Sequence, residues 1–358
     1  MAEVLRARGH RVRFAVDAPA ADRLGPVSDG PVHRVPALRQ VLDRNRVRYL
    51  ATARANLDLT WRSPEIIGEA ADWLDAVGAD LVVSDHEPFV ARGAHRVGVP
   101  VVALSHQLVL TEARPRVPLR HALSAWGTRV GIGILAPPRP VAAVVPSFFF
   151  PPLRQRGRDG PRVQMVEPIL RDDVLAAPTS RLATARREER GGRLLVYVND
   201  GTGQEALLRA LGAVGVPADV YGLPPGPAPP AVRLRAPSRD GFLRDLASAR
   251  AVVATAGFTL LSEALHLGVP VLALPNGGFF EQVANALALA EQGRGEAVVG
   301  RPLRAADLAG FLDRADAYRR PARTATEGRA GRVQAADAIE AVLAGRPAHE
   351  APRRAEAA

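Results

Sequence analysis

The chain has 358 residues, 47% hydrophobic and only 5% aromatic, which suits two ordinary domains packed on Ala, Val and Leu; with no cysteine, disulfides and thiolate metal sites are excluded. Net charge is +10, but every one of the 47 basic residues is Arg, in a Lys-free, Ala/Arg/Pro/Gly-rich composition of the kind a GC-rich coding bias produces. The Arg residues are scattered without interleaved aromatics, so nucleic acid is not an expected partner, while an anionic membrane surface remains open as a docking site.

No stretch approaches the roughly 20 apolar residues of a spanning helix. The longest candidate, "VAAVVPSFFFPP", is broken by Pro146, Pro151 and Pro152, and the charged, amphipathic opening "MAEVLRARGH" is no signal peptide. The expected compartment is the cytoplasm, with a peripheral position at the inner membrane face as the variant.

In chain order, "AEVLRARGH" reads as the end of a helix stopped at Gly9, followed by the strand "RVRFAVD". A doubly wound domain normally places a strand and a Gly-rich turn before such a helix, and neither is present here. A helical stretch around Asn45–Trp61 and a second, "SPEIIGEAADWLDAVG", lead to the strand "ADLVVSD", the helix "EPFVARGAHRVG" and the strand "PVVALSH". Near-continuous apolar runs closed by polar residues are the pattern of parallel strands buried on both faces. After a Pro-rich irregular region, "VQMVEPILRDDV" reads as a last strand running into an interdomain connection, and "APTSRLATARREERGG" as a linker.

A second strand–helix series starts at "RLLVYVNDGTGQEALLRALGAVG" and passes through "ADVYGL", "VRLRAP", "RDGFLRDLASA" and "RAVVATA" to "GFTLLSEALHLGVPVLALPNGGFFEQVANA". Residues Leu303 to Leu343 have a helical period. The expected fold class is α/β, with two Rossmann-like domains whose parallel sheets face each other across a cleft. The first spans 1–172, a linker 173–191, the second 192–345 and a disordered tail 346–358.

Chemistry gathers at the strand ends of the second half. Gly257 lets backbone approach a ligand. Thr259 lies at a helix opening, where free N–H groups and the dipole favour an anion such as a diphosphate. Glu263, one turn on, is within reach of ribose hydroxyls; the plainer alternative is a Thr-capped helix with a solvated Glu263. Asn276, Gly277 and Gly278 form a loop at the next strand edge. Glu281 and Gln282 after it offer an acceptor pair and an amide to a polyol, or simply an ordinary first helical turn. Gly201, Thr202 and Gly203 make a turn suited to phosphate that is neither a dinucleotide fingerprint nor a Walker loop. Backbone at Pro237–Ser238 and the ring of Phe242 would flank a nucleobase, with core packing the alternative for Phe242.

The order Gly-Thr-Gly turn, "APS…FL…LASARAVVATAGFTLLSEALHLGVPVLALP", then "EQVANA" resembles the nucleotide-sugar half of GT-B glycosyltransferases, both the UDP-glycosyltransferases and the MurG-like transferases. "VVSDHEPFVARGAHRVGVPVVALSHQ" and "VEPILR" are similar to a largely uncharacterised archaeal and bacterial group of predicted glycosyltransferases, and the likeness runs from Met1 to about Gly295. It implies that Gly257, Phe258 and Thr259 meet the donor diphosphate, Glu263 the ribose, Glu281 and Gln282 the sugar, and Pro237–Phe242 the base. Two departures stand out: Ala256 replaces a polar phosphate partner, and the Gly-rich turn that supplies the catalytic base in many relatives is missing.

The implied reaction is transfer of a sugar from a nucleoside-diphosphate donor, UDP-linked, to an unidentified acceptor. It needs neither a metal nor any cofactor beyond the nucleotide-sugar substrate. Fold-sharing alternatives are a nucleotide-sugar 2-epimerase and an inactive sugar-nucleotide binder. A base must take the acceptor's proton, and the candidates at strand ends of the first half are Asp85, His86 and His106, with Glu87 beside them. Asp85–Glu87 could equally cap a helix, and His106 could satisfy buried backbone. "SAWGTRVGIGIL" and "VVPSFFFPP" suit either interdomain packing or a surface for a lipid-linked or hydrophobic acceptor and peripheral membrane contact.

Overall fold

The computed structural model describes residues 1–39, 41–43, 46–155, 160–177, 192–198, 203–276, 278–319 and 327–345. Gly201, Thr202 and Gly277, residues 178–191 of the expected linker and the tail 346–358 lie outside the described residues.

In the first half, β1 (Ala15–Val16) and β2 (His33–Arg34) pair in parallel, and β3 (Leu42–Asp43) and β4 (Arg46–Val47) form an antiparallel hairpin. The main sheet is parallel, in the order β5 (Val82–Ser84), β6 (Val101–Leu104), β7 (Ala142–Pro146), β8 (Arg162–Val166). The central strand β7 is buried along its whole length, as a Val/Ala run covered on both faces must be. Among the described residues no pairing joins β1 and β2 to β5.

The second half holds β9 (Leu194–Tyr197), β10 (Ala218–Tyr221), β11 (Val232–Arg235), β12 (Ala251–Ala254), β13 (Val271–Ala273) and β14 (Gly295–Ala297). They form one parallel sheet in the order β11-β10-β9-β12-β13-β14. Strand pleating sends alternate residues to opposite faces, so Leu194, Val196 and Val253 enter one core while Leu195, Val252 and Ala254 enter the other. The chain leaves β9 towards one edge and returns to its other side as β12. A crevice therefore opens at the carboxyl ends of these two strands, the place where such sheets bind ligands.

Three features differ from the sequence expectation. The Pro-rich stretch expected to be irregular holds a helix, Ala122–Leu135, and the strand β7. The helical break falls at Asn56 rather than before Pro64: helices run Tyr49–Ala55 and Leu57–Ala76, with Pro64 inside the second. The Asn56 amide donates to the carbonyls of Thr52 and Arg39, both at 2.7 Å, and this side-chain competition for backbone partners ends the first helix. The last helix, Glu327–Ala344, packs not on the second sheet but on the first, where Ala335, Ala336 and Ile339 share a core with Val102, Val144 and Val166.

The halves are joined by a shared apolar core. Phe280, Val283, Ala284 and Ala288 of the helix Phe280–Glu291 pack among Leu108, Leu110, Ile132, Val145 and Phe149 of the first half. Phe280 is wholly buried there, so truncation to Ala would cost about 3–5 kcal/mol.

Candidate functional site

At the crevice, β12 runs through Thr255 and Ala256 to Gly257, the N-cap of the helix Phe258–His266. No side chain caps that helix, so its first N–H groups stay available to an anion, and Thr259 is exposed beside them. Glu263 is buried inside the first turns. Its carboxylate is gripped by Arg171, with Nε donating to Oε1 at 2.9 Å and Nη2 to Oε2 at 3.3 Å. Burial pushes the Glu263 carboxyl above its usual range, and Arg171 opposes that shift. Arg171 also lies 3.5 Å from Asp173, which in turn meets Arg239 at 3.4 Å.

The flanks of the crevice are built as follows. Ser238 caps the helix Arg239–Ser248, its hydroxyl accepting from Gly241 N at 3.1 Å, while Pro237 stays exposed. Phe242 stands edge-on to Tyr197 and Tyr221, at 5.5 Å and 5.1 Å. Gln282 Oε1 accepts from Asn276 N at 2.9 Å and Asn276 Oδ1 from Gly278 N at 3.3 Å, which folds the loop back onto the next helix. Gly203 adopts φ of +112° as the N-cap of the helix Gln204–Val214.

Across the cleft, the turn after β5 carries Asp85, His86 and Glu87. Ser84 Oγ donates to Glu87 O at 3.1 Å, and His86 takes the left-handed φ of +53°, a strained choice for a non-glycine residue. Both His86 ring nitrogens are buried without a partner, and burial lowers the pKa of the ring. Glu87 is a helix cap, accepting from Phe89 N at 3.0 Å and Val90 N at 2.6 Å, which is the structural alternative for that residue. Asp85 is exposed. Glu281, from the opposite half, accepts a hydrogen bond from Gln107 and feels the charge of Asp85; burial first, then that charge, pushes its carboxyl up to about 7.

His106 has both nitrogens engaged: Nδ1 donates to Pro146 O at 2.7 Å and Nε2 lies 2.8 Å from Asn285 Oδ1. Its ring stacks on Phe258 at 3.8 Å and 8°. The Asn285 amide donates to Ala256 O at 3.1 Å, so the network runs from β6 to the end of β12. Phe258 therefore faces the interdomain contact, with Phe148 stacked beyond it at 6.1 Å.

The structure thus brings Gly257, Thr259 and Glu263 to one opening and Asp85 and Glu281 to another, with His106 in the wall between halves. Sequence reasoning passed over Arg171 and Gln107, although Arg171 closes the quoted "VEPILR" and Gln107 the quoted "SHQ". Among the described residues no three His, Asp or Glu side chains come together as metal ligands, and no helix is long and apolar enough to cross a membrane.

The family model described as glycosyl transferase family 1 matches residues 1–316. Among curated proteins no sequence matches significantly. Several solved structures are similar over nearly the whole chain. CalG4, the calicheamicin glycosyltransferase, is 20% identical, with 97% of this chain and 94% of that one covered and a TM-score of 0.61. UGT2 of Phytolacca americana, complexed with UDP-2fluoro-glucose and pterostilbene, is 15% identical, covering 96% and 94%, with a TM-score of 0.64. MurG of Acinetobacter baumannii is 16% identical, covering 95% and 94%, with a TM-score of 0.56. At such identities the likeness establishes the GT-B fold.

Proposed function

We propose that this chain, which belongs to glycosyl transferase family 1 and is a glycosyltransferase, moves a sugar from a UDP-linked donor to a hydroxyl of an apolar acceptor. One juxtaposition carries the reading. The uncapped helix opening at Gly257, with Glu263 inside it, lies at the sheet's switch point, and Asn285 ties that point to the helix bearing Glu281.

In this reading the diphosphate meets the N–H groups at Gly257–Thr259, and the ribose hydroxyls reach Glu263. The base lies against backbone near Pro237 and the ring of Phe242. Glu281 and Gln282 hold the sugar hydroxyls. Asp85 takes the proton from the acceptor O–H as that oxygen attacks the anomeric carbon. The bond from that carbon to the diphosphate oxygen breaks, and the diphosphate leaves with the electron pair, stabilised by the helix opening. The step calls for no metal or other cofactor.

Asp85 is favoured over the other candidates by access. Its carboxylate is exposed at a strand end facing Glu281, whereas His106 has both nitrogens bonded and Glu87 is consumed as a cap. The test is thermal stabilisation by UDP, GDP, dTDP and ADP and by their sugars. A ligand at a hundred times its Kd adds about 2.7 kcal/mol to folding. A UDP-specific rise in Tm that Glu263→Ala removes is the expected result. A folded protein that no nucleotide stabilises would overturn the reading.

A further inference from the structure

We propose that the helix Ala122–Leu135 and its approach form a docking surface for an anionic lipid bilayer. The helix buries Ala125 and Ile132 in the shared core, yet its opposite face is apolar and open to solvent. Leu119 just before it is 93% exposed, Leu123 80%, Trp126 63% and Ile134 64%, with Val130 on the same stripe. The spacing of 3, 4 and 4 residues puts Leu123, Trp126, Val130 and Ile134 on one side of the helix, with Leu119 in the turn before it, the arrangement of an interfacial amphipathic segment. Leu153 and Phe150, also exposed, belong to a segment that hydrogen-bonds back to this region, Arg154 N to Glu112 O and Arg114 N to Pro152 O, both at 2.8 Å.

Charge decides the occupant. Residues 113–155 contain six Arg and no Asp or Glu. Arg114, Arg116, Arg120 and Arg139 are exposed; Arg116 pairs with Glu291 of the other half at 3.1 Å. A second copy of the same face would set Arg against Arg, whereas an anionic surface answers every one of them, each Arg near it strengthening binding about fivefold. Apolar side chains at the centre and cations around them match the headgroup boundary, with Leu119, Leu123 and Trp126 entering the acyl edge.

The surface also adjoins the cleft. The His121 ring lies 6.3 Å from that of Phe280, next in sequence to Glu281. This deepens the glycosyltransferase reading by supplying the partner from whose surface an apolar acceptor would be drawn, but it does not need that reading in order to be tested.

The experiment is flotation of the full chain with vesicles of phosphatidylcholine alone and of phosphatidylcholine mixed with phosphatidylglycerol, without nucleotide. The expected result is binding to the mixed vesicles only, weakened by high salt. The double variant Leu123→Glu/Trp126→Glu should reduce it on the order of tenfold, and Arg114→Glu/Arg120→Glu should remove its salt dependence. All four positions are exposed, so unchanged melting curves are the control for folding. Three results would each overturn the proposal: no binding by the wild type, binding that both variants retain, or a dimer in light scattering that the Leu123/Trp126 variant dissociates. UDP stabilisation measured on the same variants reads the donor site separately.

Discussion

Arg171 and Glu263 form a two-point ion pair that ties the segment leaving β8 to the helix of the donor opening. The carboxylate is buried while the guanidinium side is 32% exposed, so the two partners are not equivalent. Arg171→Ala would strand a buried carboxylate, whereas Glu263→Ala leaves a cation that water can reach.

Arg171→Ala should therefore lower stability by on the order of 1–3 kcal/mol at pH 8, less than a fully buried pair because solvent screens Arg171. Glu263 already sits above its usual range through burial, and loss of Arg171 raises it further. A carboxyl with a raised folded pKa is neutral and tolerated at low pH, and its penalty grows as pH rises above the unfolded value. The deficit measured by thermal melting should shrink towards pH 5. An equal deficit at both pH values would mean that another cation replaces Arg171.

Glu281 makes a second pH prediction of the same sign. Its carboxyl titrates near 7 when folded against 4.5 as its ordinary value. Between those two the folded state holds a proton that the unfolded state has released, so stability falls as pH climbs through the window. Glu281→Gln mimics the protonated form and keeps the Gln107 contact. It should melt like wild type at pH 4.5 and be more stable at pH 8, by on the order of 1–3 kcal/mol. In turnover it should lose activity, because the sugar hydroxyls lose an acceptor.

Much of this was legible in the sequence for identifiable reasons. Buried parallel strands such as "VVAT" and "VVAL" declare themselves because both faces are covered, whereas β7 lay hidden in a Pro-rich stretch. The helix opening at Gly257 follows from Gly and Thr at a strand-to-helix turn, whereas the absence of a Thr259 cap had to come from the structure. That His106 could satisfy buried backbone was legible, but its partners were not: Pro146 and Asn285 stand 40 and 179 residues away, and no local pattern encodes a contact at that range. The same holds for Arg171 with Glu263, 92 residues apart. The last helix has an Ala-rich period that fits any sheet. Its attachment to the first half includes a close approach at Gly331, where a Cβ would collide with the carbonyls of Glu167 and Pro168.

That approach reverses a usual rule. Gly→Ala inside a helix normally gains about 1 kcal/mol. Gly331→Ala should instead destabilise by on the order of 1–3 kcal/mol, because the obstacle is backbone that cannot swing away. Arg332 holds the same connection, donating to Leu170 O and Asp172 Oδ1, both at 2.6 Å, so the segment has little room to yield. Denaturant melts of the variant decide the point; a gain in midpoint would show that the connection moves.

Asp85 and His106 are separated by a pair of variants with opposite profiles. Asp85 is exposed and carries no cap, so Asp85→Asn should leave the melting temperature nearly unchanged. As the base it would lower transfer by about 10²–10⁴-fold while UDP binding persists. His106→Phe keeps a ring on Phe258 but leaves Pro146 O and Asn285 Oδ1 facing a ring without polar atoms. Burial keeps the His106 ring neutral with a single N–H, given to Pro146 O, and a buried acceptor stripped of its donor costs about 1–3 kcal/mol, so this variant should melt earlier, bind UDP normally, and retain transfer within about tenfold when assayed below its transition. Both ring nitrogens of His106 point at protein atoms, so whichever way the Asn285 amide is turned, no lone pair faces the cleft to take a proton. A folded His106→Phe protein that binds UDP yet transfers nothing, beside an active Asp85→Asn, would move the base to His106 and require the Asn285 contact to open during turnover.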